Sequence, residues 1–173
     1  VAGLFVAVIG ILAGAYADNT GRRMPWLWAA SIVYVICSWM LWYMVPDGSA
    51  MWSSLLFFSI AFVAAELALV FTNAVLPSLG DRHEVGKISG SGAALGYTGG
   101  ILSLFIMLFL FFDDGGKTFM IGLDPGFGLL DANMREGTRA VGPLIAIWFI
   151  VFMVPYFLWV RESKAPNSQG GFR

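Results

Sequence analysis

Apolar residues run almost unbroken along this chain, and the interruptions are short, polar or rich in Gly and Pro. Five stretches, at 1–17, 24–45, 51–76, 92–112 and 139–160, are apolar around the whole helical circumference rather than along one stripe. A helix needs about 20 mostly apolar residues to cross a bilayer. Helices with no polar face belong in lipid or inside a membrane bundle. The pattern therefore predicts an all-α, polytopic membrane helix bundle of five spans over 1–160, with 161–173 as a cytoplasmic tail or linker. The first stretch is the shortest, as expected of a span whose beginning lies before Val1. Pro25 falls at a helix start, where its missing N–H costs nothing. Pro46-Asp47-Gly48 closes the second span as a turn, and Pro77 follows the third. Pro155 lies inside the fifth span and predicts a kink.

Composition supports the membrane reading and removes other classes. Charged residues make up 12% of the chain and hydrophobic ones 58%. Soluble domains carry about 25% charged residues, so too little polar surface remains to coat a soluble fold. A net charge of −1 gives nucleic acid no electrostatic footing. Cys37 is the single cysteine and His83 the single histidine, so neither an internal disulfide nor a Cys/His zinc site is expected. No cofactor is implied, and the expected partner is membrane lipid.

Basic residues orient the spans. The loops after spans one and three and the tail hold Arg22, Arg23, Arg82, Lys87, Arg161, Lys164 and Arg173, while the other side holds only Lys117, Arg135 and Arg139. The basic excess marks the cytoplasmic side, which places the C-terminus there and the 113–138 loop outside.

Few polar residues enter the spans. Glu66 is the one acidic or basic residue well inside a span. A charge at the bilayer centre costs about 2.5–3.5 kcal/mol on insertion scales, and such residues mark ion, proton or substrate paths. The plainer alternative is a protonated Glu66 hydrogen-bonded to a neighbouring helix. Asn73 lies near the cytoplasmic end of its span, where its amide can bridge helices. Gly92, Gly96 and Gly100 repeat every four residues on one helix face, as do Gly10 and Gly14, and such small-residue faces let backbones approach closely. Tyr97, on the glycine-rich helix, is a candidate cavity residue. The spacing around Gly90, Gly92 and Gly96 follows no strand and is not a dinucleotide loop. A membrane enzyme would need convergent polar groups in the spans, and one Glu without His does not supply them.

The turn at 14–23 is more specific. Gly14, Asp18, Gly21, Arg22 and Arg23 fall on a Gly, Asp, Gly, basic, basic spacing. This resembles the signature loop of the major facilitator superfamily. Asn19 stands where a basic residue often follows the Asp, and Tyr16 where Leu is usual, which weakens or rewires the latch. The resemblance implies a secondary active transporter working by alternating access, with this loop as a conformational latch.

Two further stretches narrow the family. Asn73-Ala74-Val75-Leu76-Pro77 ends one helix, and Gly96-Tyr97-Thr98-Gly99-Gly100 lies in the next. With the closing segment 139–162, these resemble the vacuolar-effluxer-like branch, which includes autophagy-related amino-acid effluxers and bacterial relatives. The resemblance implies five of twelve helices, with a first helix and a C-terminal half outside the chain. It also implies a wall of a solute cavity with Glu66, Asn73 and Tyr97 as substrate or proton-path residues, amino acids as the solute, and a bacterial plasma membrane as the location. The competing class is a non-transporting helical membrane protein, such as a scaffold or assembly subunit.

Overall fold

The structure, a computed structural model, describes residues 23–76, 79–112 and 116–160, together with Gly10 and Gly14, both helical. The rest of the first predicted span, and Asp18, Gly21 and Arg22 of the signature turn, lie outside the described residues.

Five helices are described. Helix α1 (Met24–Met40) runs on into a 3-10 turn, Leu41–Tyr43. Helix α2 covers Met51–Val75, and α3 covers Arg82–Ile106 before widening into a π-helical turn, Met107–Phe111. A short α4 (Glu136–Arg139) leads directly into α5 (Val141–Trp159). Among the described residues, four helical segments are long and apolar enough to cross a membrane: Met24–Tyr43, Met51–Val75, Glu84–Phe111 and Glu136–Trp159. The all-helical, polytopic architecture expected from the apolar pattern is therefore present. Large apolar side chains such as Trp28, Ile36, Leu56 and Phe152 cover its outer surface, an arrangement suited to lipid and not to water.

One boundary differs from expectation. Helix α3 begins at Arg82, ten residues before the predicted start at 92. The charged and Gly-rich stretch 82–91 reads as a loop by hydropathy, yet it contains no Pro and has a start signal. The Glu84 carboxylate reaches back to accept the Asp81 backbone N–H at 3.3 Å, one arm of a capping box. The apolar run defines only the part of the helix that lipid can surround. Helix α5 continues through Pro155, whose lost donor leaves one carbonyl of the helix unpaired by it.

The turn between α1 and α2 is held by Asp47. Its carboxylate accepts the Ser49 hydroxyl at 2.6 Å and the Ser49 backbone N–H at 2.9 Å. The hydroxyl bond, followed by the backbone bond, holds the Asp47 carboxyl below the usual carboxylate range.

Helix α1 is the centre of the packed unit, with α2 along one side and α5 along another. The face that α2 buries is Ala61, Ala64, Ala68, Phe71 and Val75, spaced at three and four residues. Its small side chains let the α1 backbone come close, and Phe71 then fills the wider space beyond them. Leu27 and Ala30 of α1 meet Ala68 and Phe71, with Phe149, Met153, Tyr156 and Phe157 of α5 packed around them. Trp28 stacks on Phe157 with centroids 3.8 Å apart, and Tyr34 tilts against Phe149 at 4.7 Å. Lipid tails are as apolar as these side chains, so close van der Waals fit rather than water exclusion stabilises such seams.

The tightest point of the α1–α5 seam is Gly142. A Cβ there would lie 2.5 Å from the Ser38 carbonyl oxygen and 3.0 Å from the Leu41 Cβ. Backbone is not free to yield at that distance. Gly142→Val is expected to force α5 away from α1 and destabilise the bundle by about 1–3 kcal/mol, the usual cost of overpacking. Thermal unfolding of the intact protein in detergent checks this. Gly99→Ala is the control, because its nearest neighbour is the Trp148 Nε1 at an ordinary 3.8 Å.

Candidate solute groove and its supports

Helix α3 does not continue the close packing. It diverges from α2, and the space between them is an open groove of about 590 Å³. Leu69, Thr72, Asn73 and Leu76 form one wall, and Ser89, Gly92, Gly96 and Tyr97 line the other. That volume is within the range of small-molecule sites, about 300–1,000 Å³. The mixture is also suitable, since an apolar wall carries a few polar groups that can orient a solute. The Thr72 hydroxyl is engaged by its own helix, donating to the Ala68 carbonyl at 2.8 Å. Asn73 is exposed at the groove, and Tyr97 is 78% exposed.

The structure thus brings Asn73, Tyr97, Gly92 and Gly96 together from two helices. Glu66 is half-buried and is not in the groove lining. It lies seven residues before Asn73, almost two full helical turns, and therefore on the same face of α2. That face is opposite the alanine face buried on α1. At about 1.5 Å rise per residue, the Glu66 carboxylate is roughly 10 Å further along the helix from Asn73. The three predicted path residues divide into a groove pair and a carboxylate deeper on the same stripe.

The glycine face reads differently from expectation. A Cβ added at Gly92, Gly96 or Gly100 would meet nothing within 4 Å, and the same holds at Gly10 and Gly14. Among the described residues, no helix approaches these positions. Gly92 and Gly96 instead leave the groove wall bare, so its width comes partly from their missing side chains. The close helix approaches are made at Ala61, Ala64, Ala68 and Gly142, which the sequence marks only by spacing.

Two arginines hold the groove's supporting frame. Arg23, the last residue of the signature turn, donates from its guanidinium to the Ala74 carbonyl at 2.5 Å, across 51 residues of sequence. Ala74 is in the last turn of α2, next to Asn73. A cation at that position satisfies a carbonyl that has no partner within the helix and complements the helix dipole. At the other end of the bundle, the Arg139 Nε donates to the Trp42 carbonyl at 2.8 Å. A second Arg139 nitrogen donates to the same oxygen. The guanidinium also lies 5.2 Å from the Trp42 ring centroid, a cation–π distance. Sequence reasoning assigned Arg139 only to a charge count. Its position at the mouth of an apolar run was the available signal.

The sequence profile described as "Vacuole effluxer Atg22 like" matches residues 1–172. The chain belongs to the vacuole effluxer Atg22-like family. No curated protein and no solved structure matches it. As an Atg22-like protein with four membrane-capable helices, it is an integral membrane protein of a transporter family.

The Arg23 contact has a measurable consequence. Hydrogen bonds to charged groups contribute about 1.5–3 kcal/mol, so Arg23→Ala should lower stability by about that amount. Arg23→Lys should lose less, because the charge stays near the carbonyl while the planar fork is lost. Denaturant unfolding of the intact protein checks both, and unchanged midpoints would remove the proposed clasp.

Proposed function

We propose that this chain supplies one wall of a secondary active transporter of the major facilitator type, which moves a small solute by alternating access. The groove between α2 and α3 carries this reading. It is large enough for a metabolite and offers the Asn73 amide and the Tyr97 hydroxyl, while Glu66 lies outside the lining on the same face of α2. Two helical halves enclosing a solute near the membrane midplane is the design of such transporters. On this reading a further helical half faces the groove and closes it. Amino acids are the proposed solute and efflux the proposed direction, in keeping with the family's description. The membrane proposed is a bacterial plasma membrane, with the Arg23 end and the C-terminus facing the cytoplasm.

Each residue then has a stated task. Asn73 and Tyr97 orient the solute by hydrogen bonds at the groove. Glu66 is assigned the coupling proton because carboxylates inside spans mark ion and proton paths. Asp18, with Gly14, Gly21, Arg22 and Arg23, forms the latch that holds one conformation. Arg23 joins that latch to the last turn of α2 at Ala74, the residue next to the groove's Asn73.

Transport by the intact protein in proteoliposomes tests this. Glu66→Gln is expected to abolish proton-driven amino-acid transport while leaving membrane insertion normal. Asp18→Asn is expected to abolish transport as well. Wild-type protein that moves no amino acid under a proton gradient would favour the scaffold class. Full activity in Glu66→Gln would remove the carboxylate from the coupling path.

A further inference from the structure

We propose that the connection between α3 and α4 carries a lipid-inserting tip, in which Phe119, Met120 and Ile121 enter the headgroup region at the end of the bundle opposite Arg23. The level of this segment is fixed by two contacts. The Phe119 backbone N–H donates to the Phe112 carbonyl at 3.2 Å. The Phe119 ring meets the Phe112 ring edge-on with centroids 6.3 Å apart. Phe112 directly follows the membrane-capable segment Glu84–Phe111. The tip is therefore tied to the boundary where a membrane around these helices ends.

Its backbone is closed on itself. The Thr118 N–H donates to the Leu123 carbonyl at 2.7 Å, and the Gly122 N–H to the Thr118 carbonyl at 2.9 Å. The Leu123 N–H donates to the Thr118 hydroxyl at 3.0 Å. Gly122 has a φ of +64°, which lets the loop turn back without a side-chain penalty. Thr118 is buried, so the closing group is inside while the apolar side chains are outside. These bonds leave fewer backbone groups that need water, which lowers the cost of placing the tip where water thins.

The side chains complete the pattern. Phe119, Met120 and Ile121 are exposed in succession, a cluster that would be a liability in water. Phe127 adds an independent observation. It has a φ of +60°, a conformation a bulky residue rarely adopts, and it is 72% exposed. Exposed Lys117 adjoins the tip, where its ammonium can meet a lipid phosphate while the apolar residues sit deeper. The tip is short and not helical, so it anchors at the interface without crossing.

Site-directed fluorescence on the intact protein tests this. With Cys37→Ser as background, Phe119→Cys, Ile121→Cys and Asn133→Cys are each labelled with an environment-sensitive dye. Each is placed in nanodiscs of phosphatidylcholine and phosphatidylglycerol. Labels at 119 and 121 should be blue-shifted, quenched by brominated acyl chains and shielded from iodide, while the label at exposed Asn133 stays open to iodide. Iodide quenching at 119 and 121 equal to that at 133 would overturn the proposal. Shielding from both quenchers would overturn it too, since the tip would then lie against protein. If Phe119→Cys disturbs folding through its contact with Phe112, Ile121→Cys carries the test alone.

Discussion

Helix carbonyls that have run out of backbone partners govern this structure. Every helix end leaves such groups, and near lipid there is little water to satisfy them. The chain places an arginine at two of these ends. Arg23 binds the last turn of α2, and Arg139 binds the exit of α1 at Trp42. The two contacts are at opposite ends of the bundle and use residues far apart in sequence. Between them, α1 is tied to α2 at one end and to the start of α5 at the other. The alanine face of α2 and the bare backbone at Gly142 can then exploit the short separations that these ties hold.

The same frame explains why one region is tight and another open. Where α1 meets α2 and α5, small residues and aromatic rings interlock around the buried hydroxyls of Ser31 and Ser38. Where α2 faces α3, side chains are sparse and polar groups appear at Asn73, Tyr97 and Ser89. A solute site needs room and a few oriented polar groups, and both conflict with maximal packing. The packed trio is the scaffold, and the divergent α3 is the element that provides volume. On the proposed reading, this division separates a rigid scaffold from the element that admits a solute.

Much of this could be read from the residues, for physical reasons. Spans declare themselves because lipid demands long apolar helices, so 24–45 and 51–76 matched α1 with its 3-10 turn and α2 closely. Asn73 is legible because it carries the one side-chain amide in the predicted spans, and Tyr97 because it interrupts the glycine-rich stretch 96–100. The start of α3 is not, since hydropathy is blind to helix that extends beyond the membrane. The glycine repeat was conspicuous, yet its described positions border open space, whereas the plain spacing of Ala61, Ala64 and Ala68 marks the tight seam. Arg139 was overlooked because its partner is a backbone carbonyl, and carbonyls leave no mark in a sequence. Arg23 was read as part of a charged turn, and its actual partner is again a carbonyl.

The π-helical turn at Met107–Phe111 has a mechanical consequence. It ends α3 against Gly137, and a Cβ at that position would collide with the Phe111 carbonyl oxygen. Backbone therefore touches backbone where one groove wall meets α4, which leads straight into α5. Such a joint has no flexible side chain to absorb displacement. A tilt of α3 that widened or narrowed the groove would be passed through Gly137 to the first turn of α5 and from there to Arg139 and α1. The far end of the groove wall behaves as a lever with a stiff fulcrum, so its opening is geared to the packed trio.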